Sequence, residues 1–327
     1  MNHLVALDAL ALKALDHFNV GTCAKPLLIN LSENATYKVV SASGESWALR
    51  IHRPHYQTEA SIASELAWAV ALREAGVAIT PIPVRGRDGA LIQRVTDSDL
   101  QSERLAVLTK WETGVTPEIT DKLESSFETL GALTARMHGH ARMWQRPSWF
   151  TRQRWDFESS LGDERPLWGR WRNGMGMTAE RLQLFERTVQ LIKSRLERYG
   201  NGPNRFGLVH GDARLANLLV DGEEVMILDF DDCGFSWFMY DAATPVSFYE
   251  HEPQVPALLE AWKTGYRKVA PLAAEDEAEI PTFVMLRRLL LVAWIGSHSD
   301  TELAQSMGVQ YTSDSCALCE NYLTLFG

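Results

Sequence analysis

Between positions 207 and 232 the chain reads Gly207-Leu-Val-His210-Gly211-Asp212-Ala-Arg214-Leu-Ala-Asn217-Leu-Leu-Val-Asp221-Gly222-Glu-Glu-Val-Met-Ile-Leu-Asp229-Phe-Asp231-Asp232. An apolar segment delivers a His-Gly-Asp turn, an Asn follows five residues after that Asp, and two apolar strands flank Asp221-Gly222, a tight-hairpin signal. A hairpin folds the chain back on itself, so Asn217 at its start and Asp229 at its end are expected side by side, next to Asp212. Two oxygen ligands on rigid strand ends beside a third carboxylate suit a hard cation such as Mg2+, which takes one or two protein carboxylates and fills its other positions with water and substrate phosphates. Asp212 is then free for a substrate. An Asp that accepts a hydroxyl proton, beside an Asn and an Asp that hold metal, are the working parts of phosphoryl transfer from a nucleotide. An acid-rich surface turn explains one of these acids, but not His-Gly-Asp, Asn and Asp together at these offsets.

Strands and helices of recognisable pattern surround this stretch. The first third is strand-rich, with β-branched or aromatic runs at Leu27–Leu31, Tyr37–Val40, Trp47–Ile51, Ala90–Val95 and Leu105–Trp111. A helix is expected over Glu59–Ala75, where Ile62, Leu66 and Ala69 follow helical spacing and Gly76 stops it. From Thr113 the pattern turns helical: Asp121–Met143 with Thr120 as N-cap, Thr178–Tyr199, and Pro253 to the end, interrupted by a strand–loop–hairpin region over Phe206–Phe230. With 327 residues, enough for about two domains, the boundary falls at Glu112–Pro117. Residues 144–172 form an insert holding five of the 11 tryptophans among closely spaced arginines, a mixture that either stacks on bases and binds anions or packs as a lid over the core.

Composition bounds the function classes. Apolar residues make up 46% and charged residues 23%, and 32 basic against 42 acidic residues give a net charge of −10, which disfavours a nucleic-acid binder. Eight acids and one base lie between Asp212 and Asp241, so the acidity reads chiefly as the footprint of a metal-dependent site rather than as a sign of a cationic substrate. The N-terminal run is apolar but broken by Asp8 and Lys13, an amphipathic helix rather than a signal peptide. The apolar stretch Phe283–Ile295 carries Arg287 and Arg288 and falls short of the roughly 20 residues that span a bilayer. Cys23, Cys233, Cys316 and Cys319 are too scattered for a disulfide framework and read as buried or partly buried thiols. A soluble, cytoplasmic protein without membrane or nucleic-acid partners is expected.

The pattern His210-Gly211-Asp212 with Asn217, then Ile227-Leu-Asp229-Phe, then Tyr240-Asp241, resembles the aminoglycoside phosphotransferase-like kinases, a branch of the protein-kinase-like fold. Within that group it looks most like the members that include stress-response kinase A and type II homoserine kinase. The resemblance implies an α+β, two-lobed fold, with a small antiparallel-sheet lobe carrying one main helix over residues 1–112 and a larger, mostly helical lobe over residues 113–327. It makes Asp212 the catalytic base, Asn217 and Asp229 the Mg2+ ligands, and His210 and Asp241 the braces of the catalytic loop. The third-strand lysine that pairs with nucleotide phosphates is replaced by Arg50, with Glu65 as its helix partner, and arginine keeps the charge with a different geometry. The loop over the phosphates, Ser32 to Tyr37, contains no glycine, so cradling of phosphate would depend on Asn34, a residue type that tolerates left-handed geometry, and on Ser or Thr hydroxyls. The adenine edge would meet the backbone of Lys110-Trp111-Glu112. Arg214 stands where many protein kinases place a lysine touching the transferred group, and its rival role is a structural salt bridge.

The expected activity is transfer of the γ-phosphoryl group of ATP, with Mg2+, to a hydroxyl of a small molecule such as an amino alcohol, a homoserine-like amino acid, a sugar or a drug. A protein Ser/Thr acceptor is the runner-up. A non-catalytic nucleotide-binding regulator is a third reading, motivated by Arg50 and the glycine-free loop. The acceptor pocket is expected to draw on the Trp/Arg insert and the helices after Asp241, with Trp155, Asp156, Trp237 and Tyr249 as candidates.

Overall fold

A computed structural model describes residues 3–22, 25–31, 34–96, 102–117, 123–221 and 224–327. Cys23, Ser32, Glu33, Thr120, Gly222 and Glu223 lie outside the described residues. The chain divides into two compact units. The first comprises Met1–Val115 and also takes in Arg146–Arg152 and Met226–Asp231; the second comprises Thr116–Gln145, Gln153–Val225 and Asp232–Gly327.

In the first unit, helix α1 (His3–Leu15) precedes strands β1 (Leu27–Leu31), β2 (Ala35–Val40) and β3 (Ser46–Ile51). Helix α2 (Glu59–Glu74) follows, then strands β4 (Pro83–Val84), β5 (Ile92–Val95) and β6 (Arg104–Lys110). The strands form one antiparallel sheet of order β1-β2-β3-β6-β4, with β5 also paired to β6. Burial alternates along β2 and β3, as a sheet with unlike faces requires. Tyr37, Val39, Leu49, Ile51 and Leu108 bury one face against Leu10, Ala11, Ala14 and Phe18. On the other face Val107 packs with Ile62 and Leu66 of α2. Because Arg50 pairs across the sheet with Val107, the same register presents Arg50 toward α2. The Thr58 side chain caps α2 by accepting from the Ser61 amide at 3.1 Å. Strand β4 was not anticipated, since two residues carry no alternation to read.

The second unit is mostly helical. Helix α3 (Leu123–Met143), the short α4 (Phe157–Ser160) and α5 (Ala179–Tyr199) lead to strands β7 (Phe206–Val209), β8 (Leu218–Asp221), β9 (Glu224–Ile227) and β10 (Gly234–Trp237). Helices α6 (Tyr240–Ala243), α7 (Val255–Arg267), α8 (Ala274–Ser297) and α9 (Glu302–Phe326) complete it. Strands β8 and β9 form the expected hairpin, and β9 carries the chain from the second unit into the first. Strand β10 lies past the end of the predicted hairpin region and pairs antiparallel with β7 from Gly234↔Val209 to Trp237↔Phe206. Helices α3 and α7 cross with backbone against backbone: a Cβ on Gly131 would sit 1.9 Å from the Trp262 carbonyl, and one on Gly265 would sit 1.7 Å from that of Glu128.

The apolar stretch around Arg287 and Arg288 belongs to a longer helix than the sequence indicates. Helix α8 has 24 residues and is long and apolar enough to cross a membrane by length and composition, but 83% of its most apolar window is buried in the protein. Its acidic first turn, Glu275 to Glu277, disguises that length. Cys233 and Cys319 are buried and Cys316 is partly buried. Of the insert tryptophans, Trp155, Trp168 and Trp171 are buried, whereas Trp149 is exposed, so packing accounts for three of the five.

Candidate active site

In the second unit, strand β7 ends at Val209 and hands the chain to His210-Gly211-Asp212. Gly211 has φ +81°, and a Cβ there would lie 2.7 Å from the Asp232 carbonyl, so both conformation and space select glycine. Asp241, fully buried in the first turn of α6, holds this turn from behind: its carboxylate accepts from the amides of His210 at 3.0 Å and Gly211 at 2.8 Å. A third partner is Nε2 of the buried His138 on α3, at 3.1 Å. Burial pushes the His138 imidazole down, toward neutrality, against the pull of Asp241. Neutral His138 then donates from Nε2 to Asp241, and Nδ1 is left to accept from the Tyr266 hydroxyl at 3.2 Å. Burial alone would raise the Asp241 carboxyl, but His138, His210 and the Gly211 amide together hold it below the usual carboxylate range.

The Asp212 carboxylate is fixed at both oxygens. Oδ2 accepts from Nδ2 of Asn217 at 2.8 Å and from Nε of Arg214 at 3.1 Å, and Oδ1 accepts from Nη2 of Arg287 at 2.5 Å. Asn217 also donates to the Asp212 carbonyl at 2.8 Å, which commits its amide nitrogen and turns its oxygen outward from that pair. Arg287, from the middle of α8, is 2% exposed and reaches the Tyr240 hydroxyl, the Ser247 hydroxyl and the Gly211 carbonyl as well. Burial works against its charge, but Tyr240 and the Asp212 carboxylate hold it on. Phe248 adopts φ +77°, a conformation bulky side chains rarely take, and the Arg214 guanidinium stands 5.8 Å from its ring.

In the first unit, Arg50 donates from Nη1 to Glu65 at 2.9 Å and from Nη2 to Asp229 at 3.3 Å. Arginine thus makes the pair with the helix glutamate expected of a lysine, and its second arm adds a contact to Asp229. Asp229, two residues past the end of β9, stands in the left-handed region, φ +57°. Asn34 makes no use of the left-handed geometry it tolerates; the non-glycine residues in that region among those described are His55, Asp229 and Phe248. Its side chain is held at both ends, donating to Asp231 Oδ2 at 3.2 Å and accepting from the Arg53 amide at 3.2 Å. Burial, then the Glu65 and Asp229 charges, push the Asp231 carboxyl up to about 7 against Arg50 and Arg152. Trp111 and Glu112 are engaged within the same unit: Trp111 donates its amide to Ser46 and lies under Lys38, and Glu112 pairs with Arg73 at 3.2 Å.

Asp212, Arg214, Asn217, His210 and Asp241 therefore come together in one unit, and Arg50, Glu65, Asn34 and Asp229 in the other. Missing from the sequence reading are His138 and the roles of Tyr240 and Arg287. Two adjacent arginines inside a long apolar run were the available signal, because a buried charge requires a partner. The four side chains named for the acceptor are each occupied: Trp155 donates to the Asp232 carbonyl, Asp156 caps α4, Trp237 donates to the Gly200 carbonyl and Tyr249 to the Pro245 carbonyl.

His52, just past the end of β3 and two residues from Arg50, is 3% exposed, and neither ring nitrogen has a hydrogen-bond partner among the described residues. Burial and the nearby Arg50 and Arg152 charges push it down to about 3. The unfolded chain then binds a proton that the folded chain refuses between about pH 6.5 and 3, so stability falls as pH drops through that window, by up to about 1.4 kcal/mol per pH unit. Thermal melts between pH 7.5 and 5 should show this slope, and His52→Leu should flatten it. An unaltered slope in His52→Leu assigns the acid sensitivity elsewhere.

Comparison with known proteins agrees with this geometry. The profile of the phosphotransferase enzyme family (APH) matches residues 28–272. Amicoumacin kinase of Bacillus subtilis (strain 168) is 26% identical over 275 residues, covering 80% of this chain and 76% of that protein. The structure of a microcompartment-associated aminopropanol kinase is 42% identical, with a TM-score of 0.89 over 98% of both chains. That of an amicoumacin kinase in complex with AMP-PNP and Ca2+ has a TM-score of 0.77 at 20% identity, covering 98% of this chain and 94% of that one, a likeness of fold. The α+β architecture expected from sequence is the one these proteins share. With three quarters of its length under the family profile and the turn from His210 to Asp212 braced by Asp241, the chain belongs to the phosphotransferase enzyme family.

Proposed function

We propose that this phosphotransferase is a kinase that moves the γ-phosphoryl group of ATP to the hydroxyl of a small amino alcohol. The observation that carries the reading is the Asp212 carboxylate, oriented by Asn217, Arg214 and Arg287. Three donors occupy three of its roughly four lone-pair directions, so one remains for an acceptor hydroxyl. Asp212 aligns that hydroxyl and accepts its proton as the oxygen attacks phosphorus. Arg214 offsets charge on the transferring group, and Arg50, set by Glu65, orients the nucleotide phosphates. The outward amide oxygen of Asn217 and the carboxylate of Asp229 are hard oxygen donors of the kind Mg2+ takes, and they are the residues that would hold it. Mg2+ supplies neutralisation of phosphate charge. The choice of amino alcohol is supported by the aminopropanol kinase at 42% identity. The acidic net charge and few cysteines support cytoplasmic work on a small molecule, with neither nucleic acid nor membrane as partner.

The test is phosphoryl transfer from MgATP to a panel of 1-amino-2-propanol, ethanolamine, homoserine and an aminoglycoside, with products identified by mass spectrometry. A phosphorylated amino alcohol is expected. Product from the aminoglycoside alone, or label appearing only in polypeptide when extract is added, overturns the acceptor class. ATP binding without transfer to any acceptor overturns the kinase reading.

A further inference from the structure

We propose that Arg152, in the Trp/Arg insert, is a positioning residue for the nucleotide clamp. Given the kinase reading on which this rests, Arg152 holds the two segments that Arg50 joins at a fixed separation. Arg50 bonds Glu65 on α2 and Asp229 after β9. Arg152 bridges those same segments a few residues away. It is 8% exposed, donates from Nη1 to the Ser61 hydroxyl at 2.8 Å and the Ser61 carbonyl at 3.0 Å, and donates from Nη2 to the Asp231 carbonyl. Ser61 lies one helical turn before Glu65, and Asp231 two residues past Asp229.

The bridge closes into a ring. Ser61 donates to the Gln57 side chain at 2.6 Å, and Gln57 donates to the same Asp231 carbonyl at 3.3 Å. The neighbouring Thr151 amide donates to Ser64 Oγ at 2.9 Å, so consecutive insert residues grip α2 on both sides of the turn leading to Glu65. Glu65 itself is 5% exposed, with Oε1 on Arg50 and Oε2 without a hydrogen-bond partner among the described residues. One ion pair is a weak restraint on a whole helix. The Arg152 ring supplies the remainder, and a guanidinium suits the task because its rigid fork serves two acceptor segments at once. This gives the segment Arg146–Arg152 a function in the first unit, to which it belongs by its contacts.

The test is a double-mutant cycle read by calorimetric titration with MgATP, alongside kinetics. Arg152→Met is expected to weaken MgATP affinity and raise KM for ATP by about tenfold, with the acceptor KM unchanged. Combined with Glu65→Gln it should cost little beyond Glu65→Gln alone, because Arg152 acts through that glutamate. Unchanged affinity in Arg152→Met, or losses that multiply independently, overturns the role. If Arg152→Met does not fold, Ser61→Ala, which removes one of the three acceptors, is put through the same cycle: a smaller loss absent from the Glu65→Gln background supports the proposal, and no loss overturns it. Wild-type protein that binds no MgATP overturns the kinase reading and this proposal together, whereas wild-type binding with an unaffected variant overturns the Arg152 role alone.

Discussion

Replacing Asp212 by alanine should lower kcat for phosphoryl transfer by about 10²- to 10⁴-fold, the range lost when a positioned general base is removed. MgATP affinity should change little, because the pair Arg50–Glu65, proposed to orient the phosphates, lies in the other unit and bonds Asp229 rather than Asp212. Structure sets a condition on the measurement. Arg287 is 2% exposed and donates to Asp212 at 2.5 Å, so the alanine variant leaves a buried guanidinium without its carboxylate and loses stability as well as turnover. Rates must therefore be taken per folded molecule, at a temperature below the variant's melting transition. Asp212→Asn retains an acceptor oxygen and should melt closer to wild type while remaining slow. Wild-type kcat in either variant, on an acceptor the wild type turns over, removes Asp212 from the mechanism.

The second large effect is one of stability, at the neighbouring arginine. Arg288 and Glu250 are both fully buried and pair at 2.6 Å, and Arg288 also donates to Ser315 Oγ at 2.6 Å and the Tyr311 carbonyl at 3.0 Å. The Tyr311 hydroxyl donates to the other oxygen of Glu250 at 3.1 Å, completing a network that joins the segment after α6 to α8 and α9. Arg288→Met strands a buried carboxylate and should cost about 3–5 kcal/mol, the usual loss when one partner of a buried pair is removed. In a domain of this size that lowers Tm by roughly 6–20 °C. Glu250→Leu added to Arg288→Met removes the stranded charge as well, and most of the loss should return. A single variant within about 1 kcal/mol of wild type in chemical denaturation, or a double variant worse than the single, sinks this account of the network.

The phosphotransfer motif was legible because its chemistry demands fixed residue types within a short stretch. His210, Asp212 and Asn217 are joined by hydrogen bonds spanning two to five residues. Apart from the two-residue β4, the strands and helices of the first unit were legible for a similar reason: alternation and helical spacing are local. Supports arriving from far along the chain were not. Arg287 is 75 residues from Asp212, His138 is 103 from Asp241, and Arg152 is 91 from Ser61, and no periodicity links such pairs. Strand β10 escaped because its partner β7 precedes the His210–Asp212 turn, so no turn signal announces the pairing. The insert misled by composition: tryptophan beside arginine describes a stacking surface and a packed core segment equally well, and burial of Trp155, Trp168 and Trp171 decides for packing.

The carboxylate of Asp241 fixes the two amides of the His210-Gly211 turn, and it is itself buried against His138. Such a turn, left in water, would sample many conformations, and ordering it on encounter with a ligand would divert part of that ligand's binding free energy. Here the conformational entropy is lost during folding, before any nucleotide or acceptor arrives. Interactions with the acceptor are then available in full to stabilise the transition state, a gain that weighs most for an acceptor as small as the one proposed above.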